Sequence, residues 1–168
     1  MNVNEVFGDL YGRVPPLVRD AVAGLDAKQL ATPPEPGANT VGWLVWHLTR
    51  VQDSHIAELL GKDQVWETGD IAARFDLPAD PGNTGYGHTP DDVAEVQPTA
   101  ELLVEYYDAV HARTEEFIGG LTPAALDEIV DERWSPPVTL GVRLVSVADD
   151  CLEHAGQASY VRGLLQRR

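Results

Sequence analysis

The chain has 168 residues, 43% of them hydrophobic, which suits one globular domain with a sizeable core. Its 12 basic and 27 acidic residues give a formal net charge of −15, and so negative a surface disfavours nucleic acid and anionic membranes as partners. The single cysteine, Cys151, excludes an internal disulfide, and no apolar run is long enough for a membrane span. No signal-peptide pattern opens the chain, so we predict a cytoplasmic protein with one domain, residues 1–168.

Apolar residues recur with helical periodicity in four long segments, which cover about residues 3–25, 40–60, 99–118 and 141–166. Pro15 and Pro16 interrupt the first segment, so we expect a break or kink in that helix at this point. Asn39 or Thr40 can cap the start of the second helix, and Gly61 is placed as a C-terminal cap.

Two connections are longer than simple turns. Residues 62–97 are rich in proline and glycine, and residues 121–140 contain a short helix candidate that opens at Thr122-Pro123 and a segment that suits one extended pair. Four helices with a long crossover between the second and the third predict an all-α fold, a four-helix bundle.

The fourth predicted helix carries two ionisable residues on an otherwise apolar face. Asp150 and His154 are four residues apart, and His47 occupies a similar apolar position in the second helix. A charged group on a buried face is costly unless it is paired or binds a metal. Facing helices of a bundle can hold a metal between such side chains, and three protein ligands leave one coordination position open.

A second interpretation of these residues stays open from the pattern alone. His47 could be a hydrogen-bonded core histidine, and Asp150 with His154 could form one helical ion pair. Periodicity does not show that His47 meets the other two.

Other residues are candidates for the same site. His55 is two turns beyond His47, where solvent or an acidic neighbour suits it better than a shared ion. His111 is either a fourth ligand or a hydrogen-bonded core residue, and Asp149 and Asp53 are alternative carboxylates. Cys151 is predicted to pack in the core.

Three side chains are candidates for substrate binding or for support of the ligands. Trp43, with Trp46, could line a pocket or form core, and Gln157 could orient a ligand or be solvated. Tyr86 lies in the segment GYGHTP, where His88 is predicted to be an exposed histidine on a surface turn.

Two stretches, VGWLVWHLTRVQDSHI and CLEHAGQASYVRGLL, resemble the DinB-like superfamily of four-helix bundles. The resemblance places His47 at the ligand histidine of the second helix and His154 at the second histidine of a His-x-x-x-His motif. Asp150 takes the place of the first histidine, as in the similar mycothiol-dependent maleylpyruvate isomerases. The resemblance therefore implies that these three residues are metal ligands, and a carboxylate oxygen ligates zinc well.

The resemblance also implies a function. Characterised relatives use mycothiol, bacillithiol or glutathione, so a thiol S-transferase or isomerase acting on a small molecule is expected, with a low-molecular-weight thiol as cofactor and a homodimer as the assembly. Zinc is the first choice of divalent metal, with nickel, manganese or iron as alternatives. A metal-dependent hydrolase stays open, as does a non-catalytic, stress-associated binding protein with a remnant or structural metal site.

Overall fold

A computed structural model describes residues 1–167 and is mostly helical, which confirms the predicted all-α class. The helices are α1 (Val3–Gly12), α2 (Val14–Val22), α3 (Ala27–Leu30), α4 (Val41–Leu60), α5 (Ile71–Arg74), α6 (Pro90–Glu95), α7 (Ala100–Gly119) and α8 (Leu140–Leu165). Arg168, the last residue of the predicted domain 1–168, lies outside the described residues.

The first predicted helix is broken into α1 and α2 at Arg13. Pro15 lies in the first turn of α2, where its missing N–H has no intrahelical partner to lose. This confirms the predicted break. The second half ends earlier than predicted, at Val22, and Gly24 follows with a φ of +72°.

The ends of the other long helices follow from their capping residues. The Thr40 hydroxyl accepts a hydrogen bond from the Trp43 backbone N–H at 3.0 Å, and Gly61 ends α4 with a φ of +60°. Thr99 and Thr139 cap α7 and α8 in the same way. The predicted boundaries of these three helices are confirmed to within about a residue.

Helix α4 lies at the centre of the packing, in contact with α7 and α8; α2 also packs against α7 and α8, and α1 packs against α7. Most residues of α4 are buried, including five polar ones, which are His47, Thr49, Arg50, Gln52 and Asp53. Buried polar groups require hydrogen-bond partners, so the segments packed on α4 are held to it by polar contacts as well as apolar ones.

Arg50 fastens the crossover between α4 and α7 to the core. The side chain is fully buried, and its guanidinium lies 4.8 Å from the centre of the Trp66 ring. Its N–H groups donate to the backbone carbonyls of Asp80, Pro81 and Asn83, to Oε1 of Gln64 and to the Tyr106 hydroxyl.

Asp53 is a structural carboxylate. Its oxygens accept hydrogen bonds from the backbone N–H groups of Val65 and Trp66 and from the Tyr106 hydroxyl, and the Arg50 guanidinium lies 3.7 Å away. The structure therefore assigns Asp53 to the start of the crossover rather than to a metal.

The connection before α8 contains a 3₁₀ helix, Ala124–Asp127, and an antiparallel pair of strands, β1 (Ile129–Asp131) and β2 (Val138–Thr139). The predicted short helix and extended pair are thus confirmed. Asp131 accepts hydrogen bonds from Arg133 in the hairpin loop and from Arg143 on α8, so it joins the hairpin to that helix. Within residues 1–167, no helix is both long and apolar enough to cross a membrane.

Candidate metal centre

The structure brings His47, Asp150 and His154 together. Each offers one ligand atom, and these atoms lie within 4.8 Å of one another. The cluster forms because α4 packs against α8 and because a spacing of four places Asp150 and His154 on one face of α8. His47 is buried, and the other two are half-buried.

A backbone carbonyl orients the imidazole of His47. Nδ1 lies 2.5 Å from the carbonyl oxygen of Thr84 in the crossover. A carbonyl only accepts hydrogen bonds, so Nδ1 carries the proton and Nε2 keeps its lone pair. The Trp43 ring is stacked on the imidazole at 4.6 Å between centroids, which fixes the plane of the ring.

Gln157 orients His154 in the same way. Nδ1 of His154 lies 2.8 Å from Oε1 of Gln157, one turn further along α8. An amide oxygen accepts, so Nδ1–H donates and Nε2 is left with a lone pair on the side of Asp150. Nε2 is 3.7 Å from Oδ1 of Asp150, which is too long for a hydrogen bond.

Burial controls the charge of the cluster. Loss of solvent lowers the pKa of His47 to about 4, while the hydrogen bond to Thr84 acts in the opposite direction. His47 is therefore neutral at pH 7, as a metal ligand must be. Burial also raises the pKa of Asp150, against the opposing effect of His154.

The donor set fits a divalent cation. Oδ2 of Asp150 is buried and has no hydrogen-bond partner in the described part of the chain. Such an orphaned oxygen is costly, and the helical ion pair with His154 does not satisfy it. Two imidazole nitrogens and one carboxylate oxygen within 4.8 Å of one another would be satisfied together by one metal ion.

The prediction for His88 is wrong. The residue is half-buried: Trp43 Nε1–H donates to its Nδ1 at 3.1 Å, and its Nε2 lies 2.8 Å from Oδ1 of Asn83. Its ring also stacks on Trp46. The turn at Gly85, with a φ of +93°, folds the GYGHTP segment back onto α4, so the histidine packs against tryptophans instead of facing solvent.

The remaining candidates lie apart from the cluster. His55 has the acidic neighbour that was predicted, Glu58 at 3.8 Å, and also lies 2.6 Å from Nη1 of Arg143. His111 stacks and pairs with residues of its own helix, α7, and Asp149 is exposed.

A cleft of about 670 Å³ opens beside the cluster, and Asp150 lines it. Tyr86, predicted as a substrate-binding candidate, lines the same cleft and is almost fully exposed. Trp43 instead lies in the core against His47. Sequence reasoning missed two cleft residues, Arg133 and Trp134, because only the fold of the hairpin carries them to this position.

Comparison with known proteins identifies a family and shows similarity to a solved structure. A family model described as mycothiol-S-transferase matches residues 16–167, a range that includes His47, Asp150 and His154. The crystal structure of the "conserved protein of locus" from Enterococcus faecalis is similar to this chain, with a TM-score of 0.91 and 32% sequence identity, over 100% of this chain and 99% of that chain. The search of curated proteins gave no match.

Proposed function

Because the chain belongs to the mycothiol-S-transferase family, within the DinB-like superfamily, we propose that it is a divalent-metal-dependent S-transferase that joins a low-molecular-weight thiol to a small molecule. The single observation that carries the metal requirement is that ligand atoms of His47, Asp150 and His154 lie within 4.8 Å of one another, where Oδ2 of Asp150 has no hydrogen-bond partner. The family supports thiol transfer over hydrolysis.

His47 and His154 would hold the ion through Nε2, and Asp150 would hold it through its carboxylate. When bound, a divalent ion supplies the positive charge that lowers the pKa of a nearby thiol and favours the nucleophilic thiolate. Three protein ligands leave a coordination position for an incoming group. Thr84 and Gln157 hold the two imidazoles in the tautomer that this requires.

One side of the cluster is covered by protein, and the other side is open to solvent. Trp43 and the crossover cover His47, while the cleft reaches Asp150 from solvent. A small molecule would therefore enter through the cleft. In the net reaction the thiol sulfur bonds to an electrophilic carbon, and the leaving group departs with the thiol proton.

Several further properties belong to the same proposal. Zinc is the proposed metal because two nitrogens and one carboxylate oxygen suit it, with nickel, manganese and iron able to use the same donors. We propose a single domain with the four-helix-bundle arrangement of the superfamily, in which α1 with α2, α4, α7 and α8 are the four members. A homodimer is proposed from the superfamily resemblance, and the cytoplasmic location expected from the sequence stays part of the proposal.

Elemental analysis of the untagged full chain tests the metal site. We expect about one divalent ion per chain in the parent protein and almost none in His47→Ala or His154→Ala, because each loses one of three ligands. His111→Ala, which removes a histidine of α7, is the matched control and should keep the metal. Plasma mass spectrometry gives both the amount and the identity of the ion.

A parent protein without metal, even after incubation with zinc and nickel, would refute the proposed enzyme and favour a non-catalytic binding protein. Metal content unchanged in Asp150→Ala would remove Asp150 from the ligand set. If the metal is present, a screen of mycothiol, bacillithiol and glutathione against electrophiles tests the transfer itself.

Gln157→Leu tests how His154 is oriented. Loss of the Oε1 acceptor frees the imidazole to rotate, so we expect zinc affinity to fall by about 10–100-fold while the fold is unchanged. Competition with a chromogenic chelator measures this affinity. Gln97→Leu, at an exposed glutamine between α6 and α7, is the control, and equal affinities for the two variants would contradict the role given to Gln157.

A further inference from the structure

We propose that the cleft beside Asp150 binds a ring-bearing organic anion, with the ring stacked on Trp134 and Tyr86 and the anionic group held by Arg133. This inference rests on the proposed S-transferase function and deepens it, since it names the chemical class of the small molecule that accepts the thiol.

The size and walls of the cleft suit a small organic molecule. Its volume of about 670 Å³ lies within the usual range of ligand sites, and its lining is largely apolar. Val138 and Val142 contribute to the walls, and Val142 is half exposed to solvent there. An apolar wall of this kind accepts the body of a ligand rather than an ion alone.

Two large aromatic side chains border the cleft from different loops. Trp134 lies in the hairpin loop and is 66% exposed, whereas the other three tryptophans are buried in the core. Tyr86 lies in the crossover and is 95% exposed. Aromatic rings pair with other flat rings through offset stacking, and burial of their faces by a ligand gains apolar contact as well. Both rings gain such contact when a flat ring fills the cleft.

Arg133 supplies a cationic group at the same cleft. Its Nε and Nη2 each donate to Asp131 at 2.8 Å, and this pairing holds the guanidinium in place. Nη1 has no hydrogen-bond partner among residues 1–167, and the side chain is 75% exposed. With a net charge of −15, the surface of the chain repels anions in general. At Arg133 an anion gains a charge-assisted hydrogen bond.

The cleft extends from the aromatic rings and Arg133 to the candidate metal ligands. Asp150 belongs both to the lining of the cleft and to the ligand cluster. Asp131, which fixes Arg133, is itself fixed to α8 by Arg143 at 2.8 Å. The anion site is therefore held rigidly to the helix that carries Asp150 and His154, so a ligand bound at Arg133 has a defined position relative to the cluster.

Nuclear magnetic resonance of the tryptophan indole groups tests this binding in the full ¹⁵N-labelled chain. Loss of one signal in Trp134→Phe assigns the Trp134 indole. Titration with benzoate should then move this signal in a saturable way, and neutral benzamide should bind about tenfold more weakly because it lacks the charge. Both titrations are made on chelator-stripped and on zinc-loaded protein, so that direct binding of benzoate to the metal is separated from binding in the cleft.

Two substitutions identify the groups involved. Arg133→Gln should abolish the preference for benzoate over benzamide, and Tyr86→Ala should weaken both ligands severalfold. Tyr160→Ala, at an exposed tyrosine of α8 outside the cleft lining, should change neither affinity.

The inference is overturned if benzoate leaves the Trp134 signal unmoved in the stripped protein, or if benzoate and benzamide bind equally. Binding of myo-inositol in place of benzoate would also overturn it, since a neutral polyol ring would then be the ligand. Because the stripped protein is used, these outcomes are independent of metal content, whose absence would refute the proposed function separately.

Discussion

Replacement of Arg50 with methionine is expected to lower the free energy of unfolding by about 3–5 kcal/mol, since it removes one partner of a buried ion pair. Methionine retains the apolar packing on Trp66 but leaves the Asn83 carbonyl and Oε1 of Gln64 without a donor. The carbonyls of Asp80 and Pro81 each lose one of two donors. The neighbouring Asp53 carboxylate also loses the guanidinium that lies 3.7 Å away.

Chemical denaturation of metal-free protein measures this loss. Arg19→Met is the matched control: Arg19 pairs with Asp108 at 2.7 Å, but both side chains are about half exposed. Exposed pairs contribute about 0–1 kcal/mol, so the control should be near the parent. Similar stabilities for the two variants would show that the Arg50 contacts do not hold the crossover.

Substitution of Gly85 by alanine is expected to destabilise the protein by about 2–4 kcal/mol and to displace His47. A Cβ at this position would lie 2.8 Å from Nδ1 of His47 and 2.9 Å from Cζ3 of Trp46. The backbone φ of +93° is also unfavourable for alanine. The imidazole must move or lose its bond to Thr84, so zinc affinity should fall together with stability.

Gly87→Ala separates the steric collision of the Cβ from the conformational cost of a positive φ. Gly87 has a φ of +77°, but a Cβ there meets no atom of the described residues within 4 Å. It therefore carries the conformational cost without the collision, and we expect a smaller loss of stability and full zinc affinity. Thermal unfolding and chelator competition measure both properties, and equal loss of affinity in the two variants would refute the steric explanation.

The helices were predictable because their signals are local. Thr40 and Gly61 mark the ends of α4 by their own hydrogen bonds and backbone angles, and Pro15 and Pro16 mark the break in the first helix. The spacing of Asp150 and His154 is equally local. The position of His47 beside them depends on how α4 packs on α8, so periodicity alone left it open.

The crossover was not predictable to the same degree. The acceptor of His47 is a backbone carbonyl, that of Thr84, and any residue type offers one. The burial of Arg50 is equally hidden, because the backbone carbonyls that it contacts belong to Asp80, Pro81 and Asn83, about thirty residues further along the chain. The glycines around Tyr86 predict a surface turn with an exposed His88, and only the packing of this turn on α4 buries the histidine against Trp43 and Trp46.

Cys151 follows Asp150 on α8 and is fully buried, with Sγ facing the Leu48 carbonyl and the Gln52 side chain. Burial raises the pKa of this thiol well above its usual range, so it stays protonated and unreactive. For a protein proposed to bring thiols and electrophiles together, the consequence is resistance to self-modification. Its only cysteine neither competes with the thiol substrate for alkylation nor forms mixed disulfides with it while the fold is intact.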